Sequence, residues 1–109
     1  MSEQQVNYRS ERVPKRLDVT NARDFQIVID NHFKQRSDLL ILDFEVCTFI
    51  DSSGLALLIH AATLAREANL GLRLVHMNQH SRELIRISQL DRFLPVFDTL
   101  EQALAAGRS

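Results

Sequence analysis

The segment Asp51-Ser52-Ser53-Gly54 combines the residue types best placed to do chemistry in this chain. It follows a loop from Glu45 and leads into an apolar pattern of helical period, so it reads as the start of a helix. Ser52 and Ser53 are expected at or near the N-cap, where a hydroxyl can accept a bond from an otherwise unpaired backbone N–H. The same place offers free amides and the positive end of the helix dipole, which stabilise an anion, including a phosphate carried by a serine. Gly54, lacking a side chain, is expected to leave the backbone open to a partner or nucleotide. On the residues alone two readings stand side by side, a helix cap and a regulated anion site, and the cap is the simpler.

Other candidate chemistries are poorly equipped. Asp43, after the apolar run Leu39–Leu42, has the position of a receiver-type phosphoacceptor. That chemistry needs an earlier acidic pair and a later lysine, and the only lysines, Lys15 and Lys34, lie upstream. No Gly-x-Ser-x-Gly elbow is present for a serine hydrolase. His76 and His80 are four apart but straddle an expected strand end and loop, which argues against a metal pair. They read as isolated surface histidines, and His32 and His60 as helix-surface or partly buried. Cys47 is the only cysteine, so no intramolecular disulfide can form, and its apolar setting marks it as a buried thiol. No enzyme, cofactor or metal is expected.

The elements that must position the loop follow from apolar spacing. A first helix is expected from Thr20 or Asn21, with Asn21 and Asp24 outlining a capping box and Ala22, Phe25, Ile29 and Phe33 on one face. Leu39–Leu42 suits a strand covered on both faces. The next helix begins at Ser52 to Leu55, presents Leu55, Leu58, Ile59, Ala62 and Ala65, and ends near Asn69-Leu70-Gly71 in a left-handed cap. Leu72–Val75 is a strand; Ser81 is expected to cap a helix carrying Leu84, Ile85 and Ile87. Pro95-Val96-Phe97 is a short strand, and Thr99 caps a last helix through Leu100, Ala103 and Leu104. This alternation implies α/β architecture with a mostly parallel sheet. The first fifteen residues are poorly patterned; any strand there is short and at an edge, as Pro14 favours.

With 109 residues, the chain fits one domain spanning 1–109, with 16–106 as its core and 1–15 as an edge strand or unpatterned segment. Its 13 basic and 14 acidic residues leave a formal charge of -1, which gives no reason to expect nucleic acid or an anionic membrane as partner. Met1–Arg12 has no apolar signal core, and no stretch approaches the roughly 18 apolar residues of a membrane span. A cytoplasmic location without membrane insertion is expected.

The run Phe49-Ile50-Asp51-Ser52-Ser53-Gly54-Leu55 resembles the signature of STAS domains, the family of bacterial anti-sigma factor antagonists. Arg16-Leu17-Asp18-Val19-Thr20-Asn21-Ala22 is similar to the family's entry into its first helix, and Leu39–Phe44 to its central strand. Leu90–Phe97 with Thr99–Leu104 is similar to its C-terminal close. The resemblance implies a single STAS domain with a mostly parallel central sheet, an N-terminal edge strand or hairpin, and helices chiefly on one face. It also implies partner switching. Ser52, directly after the aspartate, would be phosphorylated by a serine kinase that is also an anti-sigma factor. The unmodified form would bind that partner, and a PP2C-like phosphatase would reset the modified one. Ser53 would be a supporting cap, Asp51 would shape the loop and contact the partner, and Gly54 would complete the contact segment. Related proteins in transport complexes, or switches controlling secretion or surface behaviour, are the alternative. Three places depart from the pattern: the strand-poor N-terminus, Asn69-Leu70-Gly71 where paired glycines are common, and Gln89 where a glycine often ends a helix.

Overall fold

The computed structural model describes residues 7–35 and 38–106. Elements run in the order β1 (Arg9–Arg12), β2 (Arg16–Leu17), α1 (Ala22–Lys34), β3 (Leu39–Asp43), β4 (Phe49–Ile50), α2 (Ser52–Ala68), β5 (Gly71–Val75), α3 (Gln79–Ile87), β6 (Val96–Phe97) and α4 (Leu100–Ala105). Four strands form one sheet in the order β1-β3-β5-β6, with every neighbouring pair parallel. The short N-terminal strand is indeed at an edge, and it pairs in parallel with β3, so no β1–β2 hairpin forms. Residues 1–6 of the expected edge segment lie outside the described residues.

Side-chain alternation along β3 and β5 divides the core into two layers. Leu40, Leu42, Leu72 and Leu74 join Phe25, Ile29, Leu57, Leu58, Ala61 and Ile85 from α1, α2 and α3. On the opposite face, Leu39, Ile41 and Val75 meet Ala103, with Phe97, Leu100 and Leu104 packed against them. Three helices thus cover one face and α4 covers the other. Leu40, Ile41, Leu42 and Leu74 are fully buried, and each such side chain contributes roughly 1.5–3 kcal/mol relative to exposure.

The apolar faces differ in detail from the sequence expectation. On α2 the buried set includes Leu57 and Ala61, while Ile59 turns outward and Leu55 is half-buried. On α3, Ile85 is buried and Ile87 is 65% exposed. On α2 the expected Leu58, Ala62 and Ala65 are buried, and the differences on both helices reflect which side packs against the sheet. Asn78 caps α3, its side chain accepting from Ser81 N–H at 2.7 Å, so Ser81 sits inside the first turn. Asn21 makes no side-chain cap for α1, and the capping box with Asp24 does not form. Instead its Oδ1 accepts from Asp18 N–H at 3.0 Å and its Nδ2 donates to the Arg16 carbonyl at 2.6 Å.

Helix ends follow the sequence more closely. Asn69 closes α2 in the left-handed region (φ 59), and Gln89 takes the same conformation (φ 62) beyond α3. The latter is the position where a glycine would avoid about 1 kcal/mol of backbone cost. Thr99 caps α4 by accepting from Gln102 N–H at 3.1 Å.

Candidate functional site

The Asp51–Gly54 turn is held by a two-stranded parallel ribbon that the sequence pattern did not reveal. Strand β2 pairs with β4, Arg16 opposite Phe49 and Leu17 opposite Ile50. Just past the ribbon, Asp51 N–H donates to the Leu17 carbonyl at 3.2 Å. The Arg16 guanidinium lies 4.3 Å above the Phe49 ring, leaving Phe49 half-buried, whereas Ile50 and Cys47 are in the core. Burial raises the Cys47 thiol above its ordinary pKa, which suits an inert side chain.

Asp51 is the N-cap of α2. Its Oδ1 accepts from Gly54 N–H at 3.0 Å and its Oδ2 from Val19 N–H at 3.2 Å. One carboxylate thus ties the helix start to the turn before α1. That turn is organised by Asp18, whose Oδ1 accepts from the Thr20 hydroxyl and N–H and whose Oδ2 accepts from Arg16 Nε at 3.2 Å. The Thr20 hydroxyl bond, reinforced by Arg16, holds the Asp18 carboxyl below its usual pKa.

The cap therefore lies on Asp51, and Ser53 is not the supporting cap expected. Ser52 and Ser53 occupy the first two helical positions, Ser52 exposed and Ser53 half-buried. Gly54 also takes another role. It is buried, and a Cβ there would lie 2.5 Å from the Leu17 carbonyl oxygen and 2.8 Å from Ile50 Cγ2. Its lack of a side chain admits the close approach of the ribbon. Asp51, Ser52, Ser53 and Gly54 are together, but only the first three reach the surface.

Beside the serines, a groove of 460 Å³ runs between α1 and α2, lined among others by Val19, Arg23, Gln26, Ser53, Ala56 and His60. Val19 is 73% exposed and Val46 39% exposed. His60 is 3.0 Å from Asp30 across the same helix pair.

A second polar group at the strand ends was missed in the sequence because its members are far apart in the chain. His76 Nδ1 lies 2.9 Å from Asp43 Oδ1, and ligand atoms of Asp43, Glu45 and His76 all fall within 4.8 Å of one another. His76 is thus not an isolated surface histidine. The signal available was the parallel order itself, which sets the carboxyl ends of β3 and β5 side by side. His32, for its part, is buried, with neither ring nitrogen hydrogen-bonded, and burial followed by the charge of Arg9 lowers its pKa.

The model of the STAS domain matches residues 7–103. The chain belongs to the STAS domain family. Solved relatives in fold include a putative anti-sigma factor antagonist from Thermotoga maritima, 22% identical, with a TM-score of 0.81 over 89% of this chain and 85% of that one. The Bacillus cell fate determinant SpoIIAA in its phosphorylated form is 20% identical, with a TM-score of 0.69 over 98% and 96% of the two chains. A sulfate transporter family protein from Wolinella succinogenes is 17% identical, with a TM-score of 0.80 over 96% and 88%. No curated protein matches the chain. Among the described residues, no helix of this STAS domain is long and apolar enough to cross a membrane.

Proposed function

We propose that this STAS domain is an anti-sigma factor antagonist in a bacterial partner-switching pathway, with Ser52 as its phosphoacceptor. In this reading the unmodified chain binds an anti-sigma factor that is also a serine kinase and so frees the kinase's target. Phosphorylation of Ser52 ends the complex, and a PP2C-like phosphatase restores it. The chain is a substrate and binding partner in the cytoplasm, with catalysis supplied by others, and it uses neither nucleic acid nor membrane.

The observation that carries the reading is the placement of Ser52: exposed, first in a 17-residue helix, and directly after a capping aspartate. A phosphate there meets the positive end of α2, which tolerates it, so the domain itself stays folded. The complex bears the cost. About -1.5 to -2 charges arrive beside Asp51 on a surface that must desolvate on binding. A penalty of about 4 kcal/mol weakens binding roughly a thousandfold, and no rearrangement of the fold is needed. Exposed Val19 and Val46 supply apolar surface for the partner.

Incubation with the cognate kinase and ATP should add one phosphate, seen by intact-mass spectrometry and absent in Ser52→Ala. Labelling that persists in that variant moves the acceptor elsewhere. Ser52→Asp should lose kinase binding while Ser52→Ala keeps it; equal affinities would remove the charge mechanism. The likeness to a sulfate transporter family protein favours a second reading, a STAS subunit of a transport complex. Co-purification with a transporter, unaffected by Ser52→Asp, would select it.

A further inference from the structure

We propose that Asp43, Glu45 and His76 form a binding site for a divalent transition metal of the zinc class, at the carboxyl ends of β3 and β5. Asp43 and Val75, the last residues of their strands, are register partners, so His76 follows directly beside Asp43. The Phe44 N–H donates to the Val75 carbonyl at 2.9 Å and carries the chain over that junction to Glu45. Glu45 N–H donates to Asp43 Oδ1 at 2.9 Å, fixing the carboxylate from behind. His76 holds a left-handed backbone (φ 64), and its Nδ1 lies 2.9 Å from the same oxygen.

These dimensions suit one ion. Two ligands each about 2.1 Å from a metal lie roughly 3.0 Å apart at a right angle and roughly 3.4 Å apart in a tetrahedron. The Asp43–His76 separation already matches an edge of such a polyhedron. Opposite ligands on one ion are at most about 4.2 Å apart, so the 4.8 Å span of the trio closes by a small rotation of the exposed Glu45 side chain. The ligand set chooses the metal class. One imidazole and two carboxylates suit Zn²⁺, Co²⁺ or Ni²⁺ and fall short of the six to eight oxygens of Ca²⁺. On binding, the His76 proton resides on Nε2, and the coordinate bond replaces the hydrogen bond at Nδ1.

Three protein ligands leave further positions to water, and the ion clamps the turn after β3 onto the end of β5. That turn leads through β4 to Asp51, so occupancy stiffens the approach to the serine loop. The site stands whether or not Ser52 is a phosphoacceptor.

The test is calorimetric titration of the tag-free full chain with Zn²⁺, with the visible spectrum of Co²⁺ reporting ligand geometry. One equivalent should bind, and His76→Ala and Glu45→Gln should each weaken it more than about tenfold. Glu45 is exposed, so Glu45→Gln keeps the fold, and circular dichroism of both variants verifies this. His80→Ala, exposed on α3, should leave binding unchanged. Absence of Zn²⁺ binding to the unaltered chain up to about 1 mM, which is weaker than about 4 kcal/mol, would overturn the site. Affinity that survives in folded His76→Ala or Glu45→Gln, or that depends on His80, would overturn it too.

Discussion

Helix α2 starts at Asp51 and helix α3 at Asn78, and each cap takes a backbone N–H three residues on, from Gly54 at 3.0 Å and from Ser81 at 2.7 Å. Both first turns hold serine, and both present a positive dipole end. In α2 the serine comes first and faces solvent. In α3 it comes third and is 1% exposed, its hydroxyl buried without a hydrogen bond. The same capping chemistry thus leaves one hydroxyl within reach of a modifying partner and shuts the other away. Position within the turn makes the difference, because successive helical residues step about 100° around the axis.

The α2 start is most vulnerable at Gly54. Gly54→Ala places a Cβ 2.5 Å from a backbone carbonyl oxygen that cannot yield as a flexible side chain would. Overpacking of about 3 kcal/mol outweighs the gain in helix propensity of about 1 kcal/mol. Urea denaturation should show a net loss of about 2 kcal/mol; an unchanged midpoint would mean that the ribbon and helix separate easily.

A smaller contrast separates the two caps. Asn78→Ala should cost about 1 kcal/mol, the ordinary value for a lost N-cap. Asp51→Ala should cost about 1.5 kcal/mol, because its second oxygen also holds Val19 N–H. Paired thermal melts check the order, and the reverse ranking would deny Asp51 its bridging role.

Acid tests whether the two helix starts share one cooperative unit. His32 is buried neutral, with its folded pKa below the ordinary 6.5. Above pH 6.5 neither state is protonated and His32 contributes no pH dependence. As pH falls below 6.5 the unfolded chain takes up the proton first, so stability declines until the lower folded pKa is passed. Hydrogen exchange should lose protection equally at both helix starts across that window, and His32→Gln should flatten the decline.

The smallest expected effect is at Ser81. Ser81→Ala removes a buried hydroxyl with no partner, so stability should hold or rise by a few tenths of a kcal/mol. A loss above about 1 kcal/mol would mean that the hydroxyl has a bonded partner in solution.

The sequence made the long elements legible and their joints less so. Leu39–Leu42 and Leu72–Val75 declare themselves as short apolar runs, and the buried face of α1 by a period of 3.6 residues. Caps are harder. Asn78 and Ser81, or Asp51 and Ser53, are chemically interchangeable N-cap candidates, and only backbone angles choose between them. A ribbon of two residues per strand, Arg16–Leu17 with Phe49–Ile50, is too short to leave any period. The grouping of Asp43 with His76 depends on strand register, which local spacing does not encode. Ser52 itself stood out by resemblance to a family motif, since physics alone made that turn a good helix start.

The contact between Gly54 and the Leu17 carbonyl also restricts how this domain can diversify. A segment wedged against a neighbouring backbone accepts no insertion, deletion or larger residue, so the spacing from Ile50 to Gly54 behaves as a fixed gauge. Variation that retunes recognition is left to side chains that hold nothing in place. Val19 is such a residue: its amide is committed to Asp51, while its side chain is free to change.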